Sequence, residues 1–157
     1  MQISKRIMAA ISAAALSIAG AMIVDLEGVE YKPYQDVVGI TTVCYGHTGN
    51  DIIKDKTYTK DECQALLDLD LTTIASEIDS NITADISVTQ RAAFYSFAYN
   101  VGSGAFNRST LLKKLNAGDR PSACSELHRW IYAGGKQWKG LINRREIEET
   151  VCSYAKQ

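Results

Sequence analysis

The sequence is poor in proline and has no internal repeats or low-complexity linkers. Its 157 residues include only two prolines, 46% are apolar and 22% are charged. This composition excludes collagen and repeat arrays as well as an intrinsically disordered chain. A chain of this length buries roughly 68–70% of the surface that its unfolded form exposes. We therefore expect one ordinary globular domain or two small lobes.

The chain also lacks the basic excess of a nucleic-acid binder. Its net charge is −1, distributed as +2 over residues 1–24, −8 over 25–107 and +5 over 108–157. A middle region this acidic repels phosphate backbones, so we expect no nucleic acid among the partners. The asymmetry allows a cleft with carboxylates on its floor and a basic wall that attracts anionic groups.

Residues 7–24 lack charged side chains, Asn, Gln and Pro. As a helix they span about 27 Å, close to the roughly 30 Å hydrocarbon core of a bilayer. Ten of the eighteen are Ala, Ser or Gly, and Lys5 and Arg6 precede them. We expect a retained, weakly held anchor with its N-terminus in the cytoplasm and the rest exported. A signal peptide cleaved after Ala21 and an ordinary core helix remain alternatives.

The four cysteines all follow this apolar segment: Cys44, Cys63, Cys124 and Cys152. Export to an oxidising compartment permits disulfides, and four cysteines allow three pairings. Pairs 44–63 and 124–152 would each stay within one half of the chain, but the sequence does not choose. A zinc site is disfavoured because no CxxC pair exists, and we expect no metal.

The pattern of the exported part predicts an α+β fold. Residues 31–49 indicate short strands with a turn at Gly39, and a capping box at Thr59 opens a helix to about residue 80. Further helices are predicted from a cap at Thr89 to Gly102, over 109–117, from Asp119 to about Ala133, and over 140–155. The last should bury four apolar residues, Leu141, Ile147, Val151 and Tyr154. We expect a small lobe with a hairpin sheet, joined by the 60–80 helix to an all-helical lobe.

Candidate catalytic groups lie just beyond the apolar segment. Glu27 ends the first predicted helix, Asp36 lies in the hairpin and Thr42 in the following strand. Acid–base hydrolysis of a glycosidic bond needs one carboxyl group kept protonated and another kept ionised near a water molecule. Spacing alone is weak evidence, because Asp25 and Glu30 are equally close and all could be solvated surface acids.

The residues around these groups strengthen the hypothesis. Eight residues separate Glu27 from Asp36 and five separate Asp36 from Thr42, within LEGVEYKPYQDVVGITTVCYGHTG. This segment resembles the phage-type lysozymes of glycoside hydrolase family 24. TYTKDECQALL, YNVGSGAFNRSTLLKKLN and YAGGKQWKGLINRREIEE are similar to the signal-arrest-release (SAR) endolysins of lambdoid phages such as phage 21. The resemblance covers nearly the whole chain and implies a lysozyme-like fold.

The resemblance also implies roles for single residues. Glu27 would be the general acid, Asp36 would polarise or deprotonate the attacking water, and Thr42 would help to hold that water, with inversion at the sugar. Arg144 falls where the family pairs an arginine with the catalytic glutamate. Arg145 would serve instead if the alignment shifts by one residue.

Two further expectations concern supporting side chains. His47 and Asp70 match a buried ion pair of the family, so they are expected to act as scaffold. Lys136, Lys139, Arg144 and Arg145 form either a wall facing the peptide carboxylates of peptidoglycan or a solvated basic face.

These observations predict a monomeric muramidase that needs no cofactor and cleaves the MurNAc–GlcNAc β-1,4 bond of peptidoglycan. Residues 1–24 would be the anchor and 25–157 the catalytic domain, with lobes 25–80 and 81–157. Held in the host inner membrane, the anchor would keep Glu27 from the cleft until release into the periplasm. A lytic transglycosylase, which needs no water-activating partner, and a non-catalytic wall-binding protein are the rivals.

Overall fold

A computed structural model describes residues 4–154 of the chain. The helices are α1 Lys5–Glu27, α2 Lys60–Asp79, α3 Val88–Val101, α4 Ser103–Asn107, α5 Thr110–Asn116, α6 Arg120–Ser125 and α7 Lys139–Cys152, with a 3₁₀ helix at Glu126–Arg129. The strands are β1 Glu30–Gln35, β2 Thr41–Cys44, β3 His47–Thr48, β4 Tyr132–Ala133 and β5 Lys136–Gln137. Strands β1, β2 and β3 form one antiparallel sheet, and β4 pairs with β5 in a separate hairpin.

Most element predictions are confirmed within a few residues, and two need correction. The second predicted helix is capped by Ser87, not Thr89, because Ser87 and Gln90 form a reciprocal capping box. The helix predicted to reach Ala133 ends at Ser125 and continues only as the 3₁₀ helix. The chain then turns back at Gly134 and Gly135, whose positive φ angles shape the β4–β5 hairpin. The regular structure within residues 81–154 is therefore helical apart from this hairpin.

Helix α1 packs along only part of its length. It lies mainly against α3 and also against α2, and Ala15, Ala19 and Ile23 are fully buried there. No described side chain of residues 5–14 is fully buried. Within residues 4–154, α1 is the one helix long and apolar enough to cross a membrane, and 29% of its most apolar 18-residue window is buried. Its second half thus belongs to the core of the domain.

The inner face of α7 is polar, which corrects the predicted apolar side. Of the predicted set, Ile147 and Tyr154 are exposed and Leu141 and Val151 only half-buried. The buried residues of α7 are Arg144, Arg145, Glu148 and Cys152. Charged residues are usually found on the protein surface, but these are buried because each has a charged or polar partner inside the protein.

Candidate active site

Glu27 is the last residue of α1, and its side chain is 27% exposed. The chain leaves the helix at Gly28, whose φ of 66° favours glycine, and enters β1 two residues later. A negative charge at a helix C-terminus is unfavourable, because the helix dipole is negative there. Arg144 offsets this, since its Nη2 lies 2.6 Å from Oε1 of Glu27. The structure thus selects Arg144, not Arg145, as the arginine that contacts Glu27.

Asp36 follows β1 at the tip of the hairpin. Its Oδ1 accepts hydrogen bonds from the backbone N–H groups of Val38 at 2.9 Å and Ile40 at 2.8 Å. Among the described residues Oδ2 has no hydrogen-bond partner, so one oxygen is anchored and the other is available to a water molecule. The turn that creates this geometry closes through Gly39, with a φ of 82°.

Thr42 lies on β2 and is buried. Its hydroxyl donates to the carbonyl of Ile40 at 3.1 Å, and the same carbonyl accepts the N–H of Asp36 at 2.9 Å. Because this hydroxyl uses its hydrogen on Ile40, its oxygen can accept a hydrogen bond from water. The backbone of Ile40 therefore holds Asp36 and Thr42 in one rigid unit.

A bulge in β1 shortens the path from Glu27 to Asp36. Glu30 pairs with Cys44 and Tyr34 with Thr42, so four steps along β1 match two along β2. Two steps of extended strand cover about 7 Å, whereas four would cover about 13 Å. The extra residues bulge out, and the two ends of β1 approach each other. Bulges commonly re-aim side chains next to active sites.

His47 is clamped between two carboxylates. Its Nδ1 lies 2.8 Å from Oδ2 of Asp70, and its Nε2 lies 3.1 Å from Oδ1 of Asp51. Burial by itself lowers the pKa of His47, but the hydrogen bonds to Asp70 and Asp51 outweigh it and hold that pKa above its ordinary value of 6.5. Because His47 pairs with Val43 of β2, the clamp fixes the sheet to α2.

Two disulfides tie the elements of the site to the rest of the fold. Cys44 bonds to Cys63, joining β2 to α2, with a Cα–Cα distance of 5.0 Å. Cys124 bonds to Cys152, joining α6 to α7, at 5.8 Å. Of the three pairings open from sequence, the structure has the one that stays within each half of the chain.

The basic wall is not formed as a unit. Lys136 and Lys139 are exposed, but Arg144 and Arg145 are buried. Arg144 contacts Glu27, and Arg145 bonds to Glu148. Neither guanidinium lies on a solvent-facing surface.

The sequence as a whole matches known proteins along most of its length. Residues 24–148 match the family model described as phage lysozyme. The chain belongs to the phage lysozyme family. A SAR-endolysin of Bacteriophage PS119 is 58% identical over 157 residues, covering 96% of this chain and 94% of the relative. A SAR-endolysin of Enterobacteria phage P21 is 54% identical over 159 residues, covering 98% and 96%.

Solved structures of phage lysozymes and related muramidases share the fold. A variant of P22 lysozyme superposes with a TM-score of 0.75 at 30% identity, covering 96% of this chain and 97% of that one. The muramidase domain of SpmX from Asticaccaulis excentricus gives a TM-score of 0.80 at 26% identity, covering 87% and 95%. The expected lysozyme-like α+β fold is confirmed.

Three features of the candidate site are not predictable from the sequence. Asp51 is a second hydrogen-bond partner of His47. Its position four residues after His47 is not distinctive, because acidic residues are frequent in this part of the chain. The role of Ile40 depends on its backbone, which side-chain motifs do not record. The buried pair of Arg145 and Glu148 has i,i+3 spacing, which also occurs on solvated helices.

Proposed function

We propose that this protein is an endolysin, a muramidase that hydrolyses the MurNAc–GlcNAc β-1,4 bond of bacterial peptidoglycan and so lyses the host cell. The phage lysozyme family model and the close relatives named SAR-endolysin support this activity. The observation that carries the proposal is the pairing of two different carboxyl environments. Arg144 contacts Oε1 of Glu27, which leaves Oε2 to carry the transferable proton, and Asp36 is anchored by one oxygen in a hairpin.

The proposed reaction is a single displacement. Protonated Glu27 gives its proton to the glycosidic oxygen as the bond from that oxygen to the MurNAc anomeric carbon breaks. A water molecule attacks this carbon from the opposite face, and Asp36 polarises it or takes its proton through Oδ2. Thr42 accepts a hydrogen bond from that water, which orients its lone pair. Attack opposite to the leaving group inverts the anomeric centre.

We further propose that the activity is controlled by the location of α1. Residues 7–24 would first hold the enzyme in the host inner membrane, with the N-terminus in the cytoplasm and residues 25–157 in the periplasm. A membrane-spanning segment cannot at the same time bury Ala15, Ala19 and Ile23 against α3. The packed arrangement of α1 would therefore correspond to the released enzyme, and the spanning arrangement would leave Glu27 beside the headgroups.

Replacing Glu27 tests the catalytic proposal directly. Glu27→Gln removes the proton donor but keeps the shape, and general acid catalysis typically contributes about 10²–10⁴-fold. We expect purified full-length enzyme with this change to lose at least 100-fold of its rate on peptidoglycan. Glu30→Gln, an exposed carboxylate at the start of β1, is the matched control and should stay within twofold.

Product analysis separates the proposal from its rival. Hydrolysis leaves a reducing MurNAc end with inverted configuration, whereas a transglycosylase leaves an intramolecular anhydro sugar. A Glu27→Gln protein that digests peptidoglycan at the normal rate, or an anhydro product from the native enzyme, would overturn the proposed reaction.

A further inference from the structure

The inner face of α7 carries two charged side chains that the proposed hydrolysis does not use. Arg145 and Glu148 are each 0% exposed, beside Arg144, which is 5% exposed. Burying an ion pair is costly, and apolar residues of similar volume are often at least as stabilising. The stability of the fold therefore does not explain why two charged side chains are buried here. The alternative is that they position neighbouring side chains.

Arg145 and Glu148 form a closed polar cluster with α3 and the segment before α7. Nη1 of Arg145 lies 2.6 Å from Oε2 of Glu148, and its Nε donates to the carbonyl of Trp130 at 3.0 Å. Its Nη2 donates to Oδ1 of Asn100. The other oxygen of Glu148 accepts from the hydroxyl of Ser96 at 2.8 Å. These bonds fix how α7 is rotated against α3.

Arg144 is bonded quite differently. Its Nη2 lies 2.6 Å from Glu27, while its buried Nη1 has no hydrogen-bond partner among residues 4–154. Arg144 therefore lacks a second bond that would fix its guanidinium. The direction in which the Arg144 side chain points therefore depends on how α7 is rotated about its axis. The bonds of the adjacent residue, Arg145, set this rotation.

We infer that Arg145 and Glu148 are positioning residues that hold Arg144 against Glu27. None of the cluster residues lies on α1, so the cluster can form before α1 docks. On release of α1 from the membrane, Glu27 would then meet a cation that is already in place. This inference rests on the proposed role of Glu27 as the proton donor.

Glu148→Gln tests the inference, because it removes one charge and keeps the size of the side chain. Purified full-length enzyme should lose about tenfold in kcat on soluble peptidoglycan fragments, with KM unchanged within twofold. Glu126→Gln is the matched control: Glu126 is 5% exposed and lies 2.5 Å from Lys114, but contacts neither α1 nor Arg144 in the described bonds. It should lower the melting temperature while kcat stays within twofold.

A double variant separates positioning from stability. Arg145→Met with Glu148→Met removes both charges, so the melting temperature should recover relative to Glu148→Gln. If the polar bonds set the direction of the Arg144 side chain, kcat of the double variant stays at least fivefold below that of the native enzyme. Recovery of kcat together with stability would overturn the inference. If Glu148→Gln does not fold, Ser96→Ala removes one bond of the cluster and should lower kcat about threefold without changing KM.

Glu27→Gln in the same assay keeps the two proposals apart. An inactive Glu27→Gln together with a Glu148→Gln that behaves like the control defeats only the positioning role. An active Glu27→Gln defeats the proposed function itself.

Discussion

At the scale of single residues, the clamp on His47 couples protonation to folding. A histidine whose pKa is raised in the folded state adds stability that is fully present below its unfolded pKa. That contribution is lost as pH rises through the folded pKa. Since the pKa of His47 is raised above 6.5, the contribution is complete in mildly acidic solution and disappears in alkaline solution.

Asp51→Asn and Asp70→Asn should separate the two halves of this clamp. The Asp51 side chain is 59% exposed, so solvent screens it and its replacement should cost about 0.5 kcal/mol at pH 6. Asp70 is 28% exposed, and losing a hydrogen bond between charged groups there should cost about 2 kcal/mol. Urea unfolding at pH 6 and pH 9 measures both. Losses of equal size at the two pH values would contradict the linkage.

Individual site residues are predictable from the sequence where their side chains belong to a recognisable motif. Spacing alone is weak evidence for Glu27, Asp36 and Thr42, and it is the resemblance of the segment around them to phage-type lysozymes that singles them out; their catalytic roles stay predictions. The resemblance predicts an arginine beside Glu27 at position 144 or 145, and in the structure it is Arg144. Asp51 and the backbone of Ile40 were not predictable, because their contacts arise only once the hairpin has formed.

At the scale of elements, capping signals predicted helix starts better than apolar periodicity predicted buried faces. Thr59 caps α2 as predicted, because its hydroxyl and Glu62 satisfy free backbone groups locally. The buried face of α7 was predicted wrongly, since Arg145 and Glu148 are buried by virtue of distant partners on α3. A helix cap depends on residues that are adjacent in the sequence and can be predicted from them. Partners that meet only in the folded protein cannot be predicted in this way.

The disulfide between β2 and α2 should matter more for activity than its counterpart. Closing loops of 19 and 28 residues predicts that each bond contributes about 3 kcal/mol. Cys44 lies two residues after Thr42 and has a φ of 63°, a left-handed backbone conformation that is unfavourable for a residue other than glycine. The disulfide to Cys63 holds Cys44 in this conformation. Replacing Cys44 and Cys63 with Ser should therefore lower kcat about tenfold at a temperature where the variant is folded.

The pair Cys124 and Cys152 provides the control for that experiment. Serine at both positions should cost similar stability in urea unfolding, because the loop it opens is of similar length. Its kcat should stay within threefold, since Cys152 lies about two helical turns from Arg144 and the bonds of Glu148 and Arg145 to α3 still hold α7 in place. Equal losses of kcat in the two double variants would show that the first disulfide acts through stability alone.

At the scale of the whole molecule, α1 faces two competing environments. Residues 15–23 contribute to the core of the domain, whereas residues 5–14 contain no fully buried described side chain. The apolar composition was visible in the sequence, but the partition between core and solvent was not, because it depends on where α3 and α2 lie. A small change in the apolarity of the exposed part should shift the balance without disturbing the packed part.

Ala10→Leu with Ala14→Leu tests this competition. Both positions are exposed in the packed arrangement, so the folded domain should keep its stability and its activity once it is soluble. Each leucine favours membrane insertion by a few tenths of a kcal/mol or more. If collapse of the membrane potential releases native enzyme, as our proposal for α1 allows, we expect this variant to stay in the host membrane under the same treatment. Ala10→Ser with Ala14→Ser should shift the balance the other way, towards earlier release.

The decisive measurement is the intact mass and the lytic activity of membrane and periplasmic fractions before and after depolarisation. Native enzyme should move at full length from an inactive membrane fraction to an active soluble one. A shortened soluble protein lacking residues 1–21 would instead identify a cleaved signal peptide, and an active membrane fraction would show that the anchor does not restrain Glu27. An active membrane fraction would leave the hydrolytic site as proposed, because no group that contacts Glu27, Asp36 or Thr42 in the described bonds lies within residues 1–21. A shortened protein would lose the core residues Ala15 and Ala19, so its activity would show that the site forms without them.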